Sequence, residues 1–444
     1  MLNQFHDIIP GSSIHEVYEV SKEQYQKILK DGDRIVKSSV ADVVRNIHTD
    51  GGVVVCNPLS FPASGTVHLG GKSMYVENIP PKGYKVVAEK APRGAVQVSE
   101  SALENDFFRL ELDKTGAFTR IFDKKNNREV LKTGARGNVM TAYEDFPRDY
   151  DNWEISNYYK DKSWELNGEA EIQCISDGAR AGVCVRKTFM QSEIVQKIWL
   201  YDDIARMDFD TEIDWKESHL ILKTAFPVDI NADKATYEIQ FGTVERPTHK
   251  NTSWDAARFE VCAHKFADLS EYGYGVSLLN DCKYGHDIHD GVMSLTLLKC
   301  GTYPDEQADK CKHQFTYALY PHAGDYRAAG TVQQAYLLNQ PMSACKVQKQ
   351  NGTLPESFSL LSMNRENVIM ETLKKAEKGD AVIARFYEAY NERTEATLTA
   401  GFDFKNVFLC DLLENEEKLL VSDGRTVTVS VKPFEIITLK FTRE

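Results

Sequence analysis

Residues 205–215, ARMDFDTEIDW, form the clearest strand pattern in the chain. Apolar side chains and Thr211 stand at every second position, with charged side chains between them. Successive side chains of a strand point to opposite faces, so this alternation predicts a strand with one buried face and one face in water. The acidic residues of the second face are therefore predicted to be solvated; they are Asp208, Asp210 and Glu212.

Comparable patterns on both sides of this stretch predict a large antiparallel sandwich. Its further predicted strands are residues 107–112, 181–189, 193–201, 219–226, 273–279, 292–298 and 313–320. Short apolar runs at 53–56, 67–69 and 84–87 predict a small β module before the sandwich. After a stretch rich in turn residues at 341–356, alternation returns at 380–400 and 425–442 and predicts a smaller terminal sandwich.

The beginning of the chain has a different period. Ser13 and Glu16 have the spacing of a capping box, which predicts a short helix, and Ser21 with Gln24 predicts a second start. Apolar residues then recur at helical spacing to about residue 48. No comparable helix follows later, so we expect the helices that pack on this one to lie upstream of residue 1.

Composition limits the class of partner. The net charge of -13, from 66 acidic and 53 basic residues, argues against a nucleic-acid partner and favours a neutral or polar substrate. No apolar run is long enough to cross a membrane, and the first residues do not have the pattern of a signal peptide. The nine cysteines are widely spaced and odd in number, which predicts free thiols and a cytoplasmic protein.

Residues 3–13, NQFHDIIPGSS, carry the first candidate for chemistry. His6 beside Asp7, on a loop before a helix, can place an imidazole on a metal and a carboxylate next to it. That pair alone is more often a surface histidine and a solvated aspartate. The whole eleven-residue string, however, closely resembles a signature of glycoside hydrolase family 38, the α-mannosidases.

Other blocks carry the same resemblance across essentially the whole chain. They are RPTHKNTSWD at 246–255, Phe259-Glu260, DLSEYGYG at 268–275, LNDCKYG at 279–285, EDFP at 144–147 and DNWE at 151–154. These blocks resemble the branch that contains cytosolic and vacuolar-type enzymes and their bacterial relatives. The resemblance also implies that the large sandwich is similar to the mutarotase-like super-sandwich.

The resemblance implies a role for the first block. In that family the histidine binds zinc and the aspartate hydrogen-bonds mannose hydroxyls, which carries over to His6 and Asp7. The remaining zinc ligands, the nucleophile and the acid/base carboxylate belong to an amino-terminal α/β barrel that is not found in this sequence. The complete protein is thus expected to be a zinc-dependent retaining α-mannosidase acting on mannose-containing glycans. One imidazole does not make a zinc site, so this chain alone is expected to bind no zinc there and to be inactive.

A polar and aromatic loop supplies the other candidate residues. Tyr143, Asp145, Asp151 and Trp153 cluster between two predicted strands, a composition suited to binding a sugar. The resemblance implies that a loop of the large sandwich, with a tyrosine, borders the substrate pocket. We predict substrate-binding roles for Tyr143, Asp145 and Asp151, against the alternative of turn residues beside a packed tryptophan.

The predicted fold is mainly β and has four parts: the end of a helical bundle with the zinc-ligand loop (1–50), a small β module (51–95), the large super-sandwich (96–345) and a terminal β-sandwich (346–444). A non-catalytic carbohydrate-binding or scaffold protein is the alternative function. An epimerase acting through the large sandwich is a third, although no histidine and carboxylate pair with suitable spacing favours it. Linkage specificity and assembly into a homo-oligomer are left open by the sequence.

Overall fold

The structure is a computed structural model that describes residues Ile8–Arg443. It is mainly β with antiparallel sheets, which confirms the predicted class. The chain forms two compact units. The first contains Gly94–Ala235 and Arg246–Asp325, together with the initial helix as far as Ala41, and the second contains Asp42–Arg93, Thr236–Glu245 and the chain from Tyr326 onward. The division into four parts stays a prediction.

The initial helix is α1 (His15–Arg45), which begins within the first predicted capping box, two residues after Ser13. The second predicted start is wrong, because Ser21 lies inside this helix and is buried there. A serine followed three residues later by a glutamine also occurs within helices, so the spacing alone does not mark an end. None of the helices in the described part of the chain is long and apolar enough to span a membrane.

The strands are numbered in chain order. The first are β1 (Thr49–Asn57), β2 (Ala63–Leu69), β3 (Lys72–Ile79), β4 (Gly83–Val87), β5 (Gln97–Ser99), β6 (Ala102–Glu104), β7 (Phe108–Leu112), β8 (Phe118–Asp123), β9 (Arg128–Glu129), β10 (Val139–Glu144), β11 (Ser163–Glu165) and β12 (Glu171–Ser176). The next are β13 (Arg180–Phe189), β14 (Ser192–Tyr201), β15 (Met207–Asp214), β16 (Leu220–Pro227), β17 (Lys234–Ile239), β18 (Gly242–Pro247), β19 (Val261–Cys262), β20 (Phe266–Glu271), β21 (Tyr274–Asn280), β22 (Gly285–His289), β23 (Val292–Cys300) and β24 (Lys312–Ala323).

The remaining strands are β25 (Ser343–Gln350), β26 (Ser357–Ser359), β27 (Leu361–Met363), β28 (Val368–Lys375), β29 (Ala381–Glu388), β30 (Thr394–Ala400), β31 (Asn406–Cys410), β32 (Glu416–Leu420), β33 (Thr426–Val431) and β34 (Ile436–Thr442). Two short helices, α2 (Ser253–Ala256) and α3 (Thr331–Asn339), and a 3-10 turn at Tyr159–Asp161 lie between strands. In the second unit the sheets have the orders β25-β1-β4-β26, β27-β30-β33 and β28-β29-β34-β31-β32, with β2 paired to β3.

The first unit contains a sandwich of two large sheets. One sheet has the order β11-β10-β16-β23-β22-β19, and in the other the strands of this unit run β12-β13-β14-β15-β24-β21-β20. Aromatic side chains from both sheets meet between them: Phe209 of β15 stacks on Tyr317 of β24 at 4.7 Å and lies 5.7 Å from Phe226 of β16. Burial of these rings is a main source of stability for the sandwich.

One predicted solvated position is wrong. Asp208 of β15 is buried, with its carboxylate 2.6 Å from the Arg206 guanidinium and 2.6 Å from the Tyr201 hydroxyl that donates to it. Glu212, farther along the same face, is exposed as predicted. Alternation reveals which side chains share a face, but it does not reveal how far neighbouring residues cover that face.

The outer face of the six-stranded sheet is polar and yet largely covered. Lys223 of β16 is buried, and its ammonium lies 2.8 Å from Asp287 of β22 and also contacts Glu260. Burial alone would raise the pKa of Asp287, but Lys223 and Lys160 reverse this effect and lower the pKa to about 2. The hydroxyl of Tyr159, in the 3-10 turn, lies 3.4 Å from the same carboxylate. These ion pairs and hydrogen bonds hold the segments that carry Tyr159, Lys160 and Glu260 on the outer face of the sheet.

His286 of β22 generates a prediction about pH. It is fully buried, and burial lowers the pKa of its imidazole to about 4. The unfolded chain, with a histidine pKa of about 6.5, therefore takes up the proton first as the pH falls. We expect the free energy of unfolding to decrease between pH 6.5 and 4, by about 3 kcal/mol from this residue. Urea denaturation at a series of pH values measures the decrease.

Two variants test the assignment of this pH dependence. His286→Gln should flatten it, whereas His249→Gln, which alters an exposed histidine, should leave it in place. An unchanged pH dependence in His286→Gln would show that other groups are responsible.

Candidate functional site

The predicted residues Asp145 and Asp151 lie at one end of the six-stranded sheet, on the loop that follows β10. His6 and Asp7 lie outside the described residues. Asp145 has no exposed surface, and its Oδ2 atom accepts a hydrogen bond from the Lys299 ammonium at 2.5 Å. Burial raises the pKa of Asp145, and Lys299 opposes this effect. The loop is thus fixed at its first residue by a buried ion pair with β23.

Asp151 fixes the other end of the loop. Its carboxylate accepts hydrogen bonds from the main-chain amides of Thr302 at 2.9 Å and Tyr303 at 2.7 Å. Nδ1 of His219 lies 3.1 Å from Oδ2 of the same carboxylate, although the ring is not aligned for a hydrogen bond. A buried carboxylate with two amide donors is a strong anchor, because charge-assisted hydrogen bonds are about twice as strong as neutral ones.

His219 was not singled out from the sequence, yet it is central to this region. Its main-chain amide donates to the Cys300 carbonyl at 2.6 Å, and its carbonyl accepts from the Asp145 amide at 2.8 Å. Its φ of 56° is left-handed, a conformation that histidine tolerates better than most residues. The imidazole stacks on the Phe146 ring at a centroid distance of 4.2 Å. A histidine just before a strand is common, so the sequence contained no signal for this role.

Asp151 and His219 line a cavity of about 450 Å³. This volume falls within the range of about 300–1,000 Å³ that is typical of small-molecule sites. Three aromatic rings on its rim are about half exposed: Phe146 (56%), Tyr150 (56%) and Tyr303 (54%). The remaining lining residues are Pro147, Arg148, Asp149, Asp151 and His219. The cavity therefore combines apolar ring surfaces with polar groups.

Tyr143, the third predicted residue, lies on the polar outer face of the sheet rather than among the residues that line this cavity. Its ring packs edge to face on Tyr159 at 5.3 Å, and burial raises the pKa of its hydroxyl. Asp287 and Glu260 raise the pKa of this hydroxyl further, and Lys223 opposes them. The structure thus brings Asp145 and Asp151 together and places Tyr143 beside the buried charge cluster.

The start of helix α1 lies against the same region. Nδ1 of His15 is 3.2 Å from the Asp305 carboxylate, and Asn152 donates to the Asp305 carbonyl at 3.2 Å. Asp305 lies two residues after Tyr303, which lines the cavity. The chain before the helix is held locally by the Tyr18 hydroxyl, which accepts from the Ser13 amide at 2.8 Å and contacts the Ile8 carbonyl at 3.5 Å.

Sequence comparison decides the family. Residues 103–307 match the model described as "Glycosyl hydrolases family 38 C-terminal domain", and residues 367–439 match its C-terminal beta sandwich domain. Residues 1–43 match the "Alpha mannosidase middle domain". Human Alpha-mannosidase 2C1 is 33% identical over 99% of this chain, and an Alpha-mannosidase from Saccharomyces cerevisiae is 30% identical over 99% of it. The chain belongs to glycosyl hydrolase family 38.

Within family 38, this chain corresponds to the C-terminal portion of its relatives. It spans 44% of the human protein and 42% of the yeast protein. The crystal structure of an alpha-mannosidase from Enterococcus faecalis matches 99% of this chain and 62% of its own chain, with a TM-score of 0.84 and 15% identity. This structural likeness concerns the fold.

The described part of this family 38 chain does not contain a metal site of its own. No three histidine, cysteine, aspartate or glutamate side chains among residues Ile8–Arg443 lie close enough together to hold an ion. Zinc sites in proteins draw at least three protein ligands.

The buried charge cluster leads to a prediction about stability. Lys223→Met would leave Asp287 and Glu260 buried without their common partner, which we expect to cost about 3–5 kcal/mol of the free energy of unfolding. Lys160→Met is the matched control, because Lys160 pairs with the same Asp287 at 3.1 Å but is 38% exposed. It should cost about 1 kcal/mol or less. Urea denaturation compares the two, and equal losses would contradict the assignment.

The packing of the cavity loop leads to another prediction. A Cβ added at Gly301 would lie 2.2 Å from Oδ1 of Asn152 and 2.8 Å from the carbonyl carbon of Asp151. Gly301→Ala should displace the loop and lower the free energy of unfolding by about 1–3 kcal/mol. Hydrogen exchange at residues 146–152 should increase. Gly168→Ala, where the added Cβ meets nothing within 4 Å, is the control, and unchanged exchange in Gly301→Ala would refute the close approach.

Proposed function

We propose that this chain is the C-terminal part of a zinc-dependent retaining α-mannosidase that hydrolyses terminal α-linked mannose in glycans. The observation that carries the proposal is the 33% identity with human Alpha-mannosidase 2C1 over 99% of this chain. The match extends through both compact units, and both contain a region that fits a family 38 model.

The catalytic carboxylates are proposed to lie upstream, in an α/β barrel of the same polypeptide. Retaining hydrolysis needs two carboxyl groups about 5–5.5 Å apart, one as nucleophile and one as acid/base. Asp145 and Asp151 are unsuited to these roles, because both are buried and already engaged with Lys299 and with main-chain amides. The chain spans under half the length of its human and yeast relatives, which leaves room for such a barrel.

His6 is proposed as one zinc ligand and Asp7 as a contact to mannose hydroxyls. Support comes from the position of the segment that follows them. Ile8 and Ser13 contact Tyr18 in the first turns of α1, and the helix begins at His15 beside the Asp305 carboxylate. Eight residues of chain separate His6 from His15, so both proposed residues are within reach of the cavity region.

Tyr143, Asp145 and Asp151 are retained as proposed substrate-binding residues. Asp151 lines the cavity, and Asp145 directly precedes Phe146 on its rim. Since the carboxylate of each aspartate already has partners, we propose that both act through the loop that they hold. Tyr143 would act from the polar face of the sheet, close to Tyr159.

The exposed face of α1 supports an upstream helical partner. Several large apolar side chains of this helix are 41–60% exposed: Val20, Tyr25, Ile28, Ile35 and Val36. Within this described helix the structure buries Ser21 alone. A helix normally presents an apolar stripe to other elements, and we propose that upstream helices of the same polypeptide cover it. We also propose a cytoplasmic location, since all nine cysteines are free thiols.

The test compares this chain with a longer polypeptide that includes the upstream region. On an aryl α-mannoside the chain alone should show no turnover, whereas the longer protein should be active, lose activity on chelation and regain it with zinc. His6→Ala in the longer protein should lower kcat/KM by about 100-fold or more. His249→Ala, at an exposed histidine, should not change it.

Two results would overturn the proposal. One is turnover by the chain alone. The other is an inert longer protein whose barrel is folded, and binding of glycans by that inert protein would favour the non-catalytic carbohydrate-binding alternative.

A further inference from the structure

We propose that Asp305 is a positioning residue: through His15 it holds the start of α1 on the two-sheet sandwich of the first unit, and so it places the segment that carries His6 and Asp7. This inference rests on the proposed function for the roles of His6 and Asp7. It goes further in naming the contact with the sandwich on which their placement depends.

The contact joins a half-exposed histidine to a buried carboxylate. Nδ1 of His15 lies 3.2 Å from both carboxylate oxygens of Asp305, and the side chain of Asp305 is 5% exposed against 41% for His15. An ionised carboxylate only accepts hydrogen bonds, so the ring donates from Nδ1. Hydrogen bonds to charged groups contribute more than neutral ones, and burial of the carboxylate limits competition from water. The helix is therefore attached firmly at its first residue.

Asp305 is itself fixed within the loop that joins β23 to β24. Its Oδ1 atom accepts from the Gln307 amide at 2.8 Å, and its main-chain carbonyl accepts from the Ala308 amide at 3.2 Å. The same carbonyl accepts from the side chain of Asn152, on the loop that follows β10, at 3.2 Å. One residue thus joins three pieces of the chain, which are its own loop, the loop with Asn152 and the start of α1. Its carboxylate offers the helix a fixed point of attachment.

A second group on the same face of α1 lies near the same loop. Lys22 follows His15 by two helical turns, so both side chains project from one face of the helix. Burial raises the pKa of the Cys311 thiol, and the Lys22 ammonium is among the charges that oppose this effect. Such an influence requires proximity, because solvent screens distant charges. The loop that contains Asp305 and Cys311 therefore follows the first two turns of α1, which gives the helix start a defined orientation.

The segment before the helix is folded back onto its first turn. The Gly11 amide donates to the Ile8 carbonyl at 3.1 Å and closes a tight turn, which the left-handed φ of 78° at Gly11 permits. The Tyr18 hydroxyl accepts from the Ser13 amide at 2.8 Å and contacts the same Ile8 carbonyl at 3.5 Å. The segment from Ile8 onward and the first turn of α1 therefore form one local unit. A shift of the helix start also shifts Ile8, the residue directly after Asp7.

A metal ligand and a sugar contact tolerate little displacement. Groups of this kind must be held to within about 0.5 Å, and a misplacement of about 1 Å can cost about 100-fold in rate. His6 is proposed to share a zinc ion with ligands from the upstream barrel, so its position has to match groups on another part of the polypeptide. The contact between His15 and Asp305 sets this position from the side of the sandwich.

The first test measures hydrogen exchange of residues 8–22 in the 444-residue chain. His15→Ala removes the donor, and Asp305→Asn removes the charge of the acceptor. Exchange in this segment should become about tenfold faster in each variant. His15→Asn should restore most of the protection, because the asparagine amide can donate from a position similar to that of Nδ1. Circular dichroism confirms that each variant is folded.

Two further variants are matched controls. Lys37→Ala removes the exposed pair with Asp33 on the same helix. Glu19→Gln removes the exposed charge that lies 3.4 Å from Nε2, the other ring nitrogen of His15. Exposed ion pairs contribute little, so each variant should change the exchange of residues 8–22 by less than about twofold.

The second test uses the longer protein that includes the upstream region. Asp305→Asn and His15→Ala should each weaken zinc binding, measured by competition with a chelator, by about tenfold or more. The value of kcat/KM on an aryl α-mannoside should fall to a similar degree. His15→Asn should restore both quantities, and Lys37→Ala should leave both unchanged.

Unchanged exchange in folded His15→Ala and Asp305→Asn would overturn the inference, and so would faster exchange without a loss of zinc affinity in the longer protein. Equal behaviour of His15→Asn and His15→Ala would also overturn it, since the hydrogen-bond donor would then be irrelevant. The proposed function fails separately. A longer protein that binds no zinc and hydrolyses no mannoside would remove the proposed function, while faster exchange in Asp305→Asn would still establish the contact that holds α1.

Discussion

The carboxylate of Asp151 is the group on which the arrangement of the site depends. It accepts two main-chain amides from Thr302 and Tyr303, and it lies beside the imidazole of His219. His219 in turn bonds through its main chain to Cys300 and Asp145. One buried charge thus joins the ends of three strands, β10, β16 and β23, that are neighbours in one sheet. Hydrogen bonds between these neighbouring strands fix their ends. The Asp151 carboxylate therefore holds the cavity loop on strand ends that do not move independently.

The six-stranded sheet has two faces with different physical roles. Toward the other sheet it buries rings such as Phe226, which contribute stability through apolar area. On the outer face Lys223, Asp287 and Glu260 neutralise one another beneath the covering segments. A buried ion pair is rarely a net gain in stability, but mispairing leaves a buried charge without a partner and is strongly unfavourable. The charge cluster on the outer face therefore determines where the segments with Tyr159, Lys160 and Glu260 lie, more than it adds to the free energy of unfolding.

Sequence patterns predicted the strands well and the environments of polar residues less well. The alternation at 205–215 predicted β15, yet Asp208 is buried because Arg206 and Tyr201 surround its carboxylate, which no single-strand pattern can reveal. Asp145 and Asp151 were recognised as a polar loop, but composition does not show that both are buried anchors. His219 left no signal, since its role depends on a left-handed backbone and on partners far away in sequence.

The division between buried anchors and exposed rings has a mechanistic consequence. Positioning a ligand for chemistry requires side chains held to within about 0.5 Å, and long exposed loops do not provide this alone. In this protein the loop that carries Phe146 and Tyr150 is short, bounded by two buried carboxylates and seated on strand ends. The exposed rings of Phe146 and Tyr150 can therefore be replaced without disrupting the strand ends beneath the loop. Replacement of Asp145 or Asp151 would disrupt them. The residues that hold the loop and the rings that it exposes are consequently different residues, so the exposed rings can change while the anchors are kept.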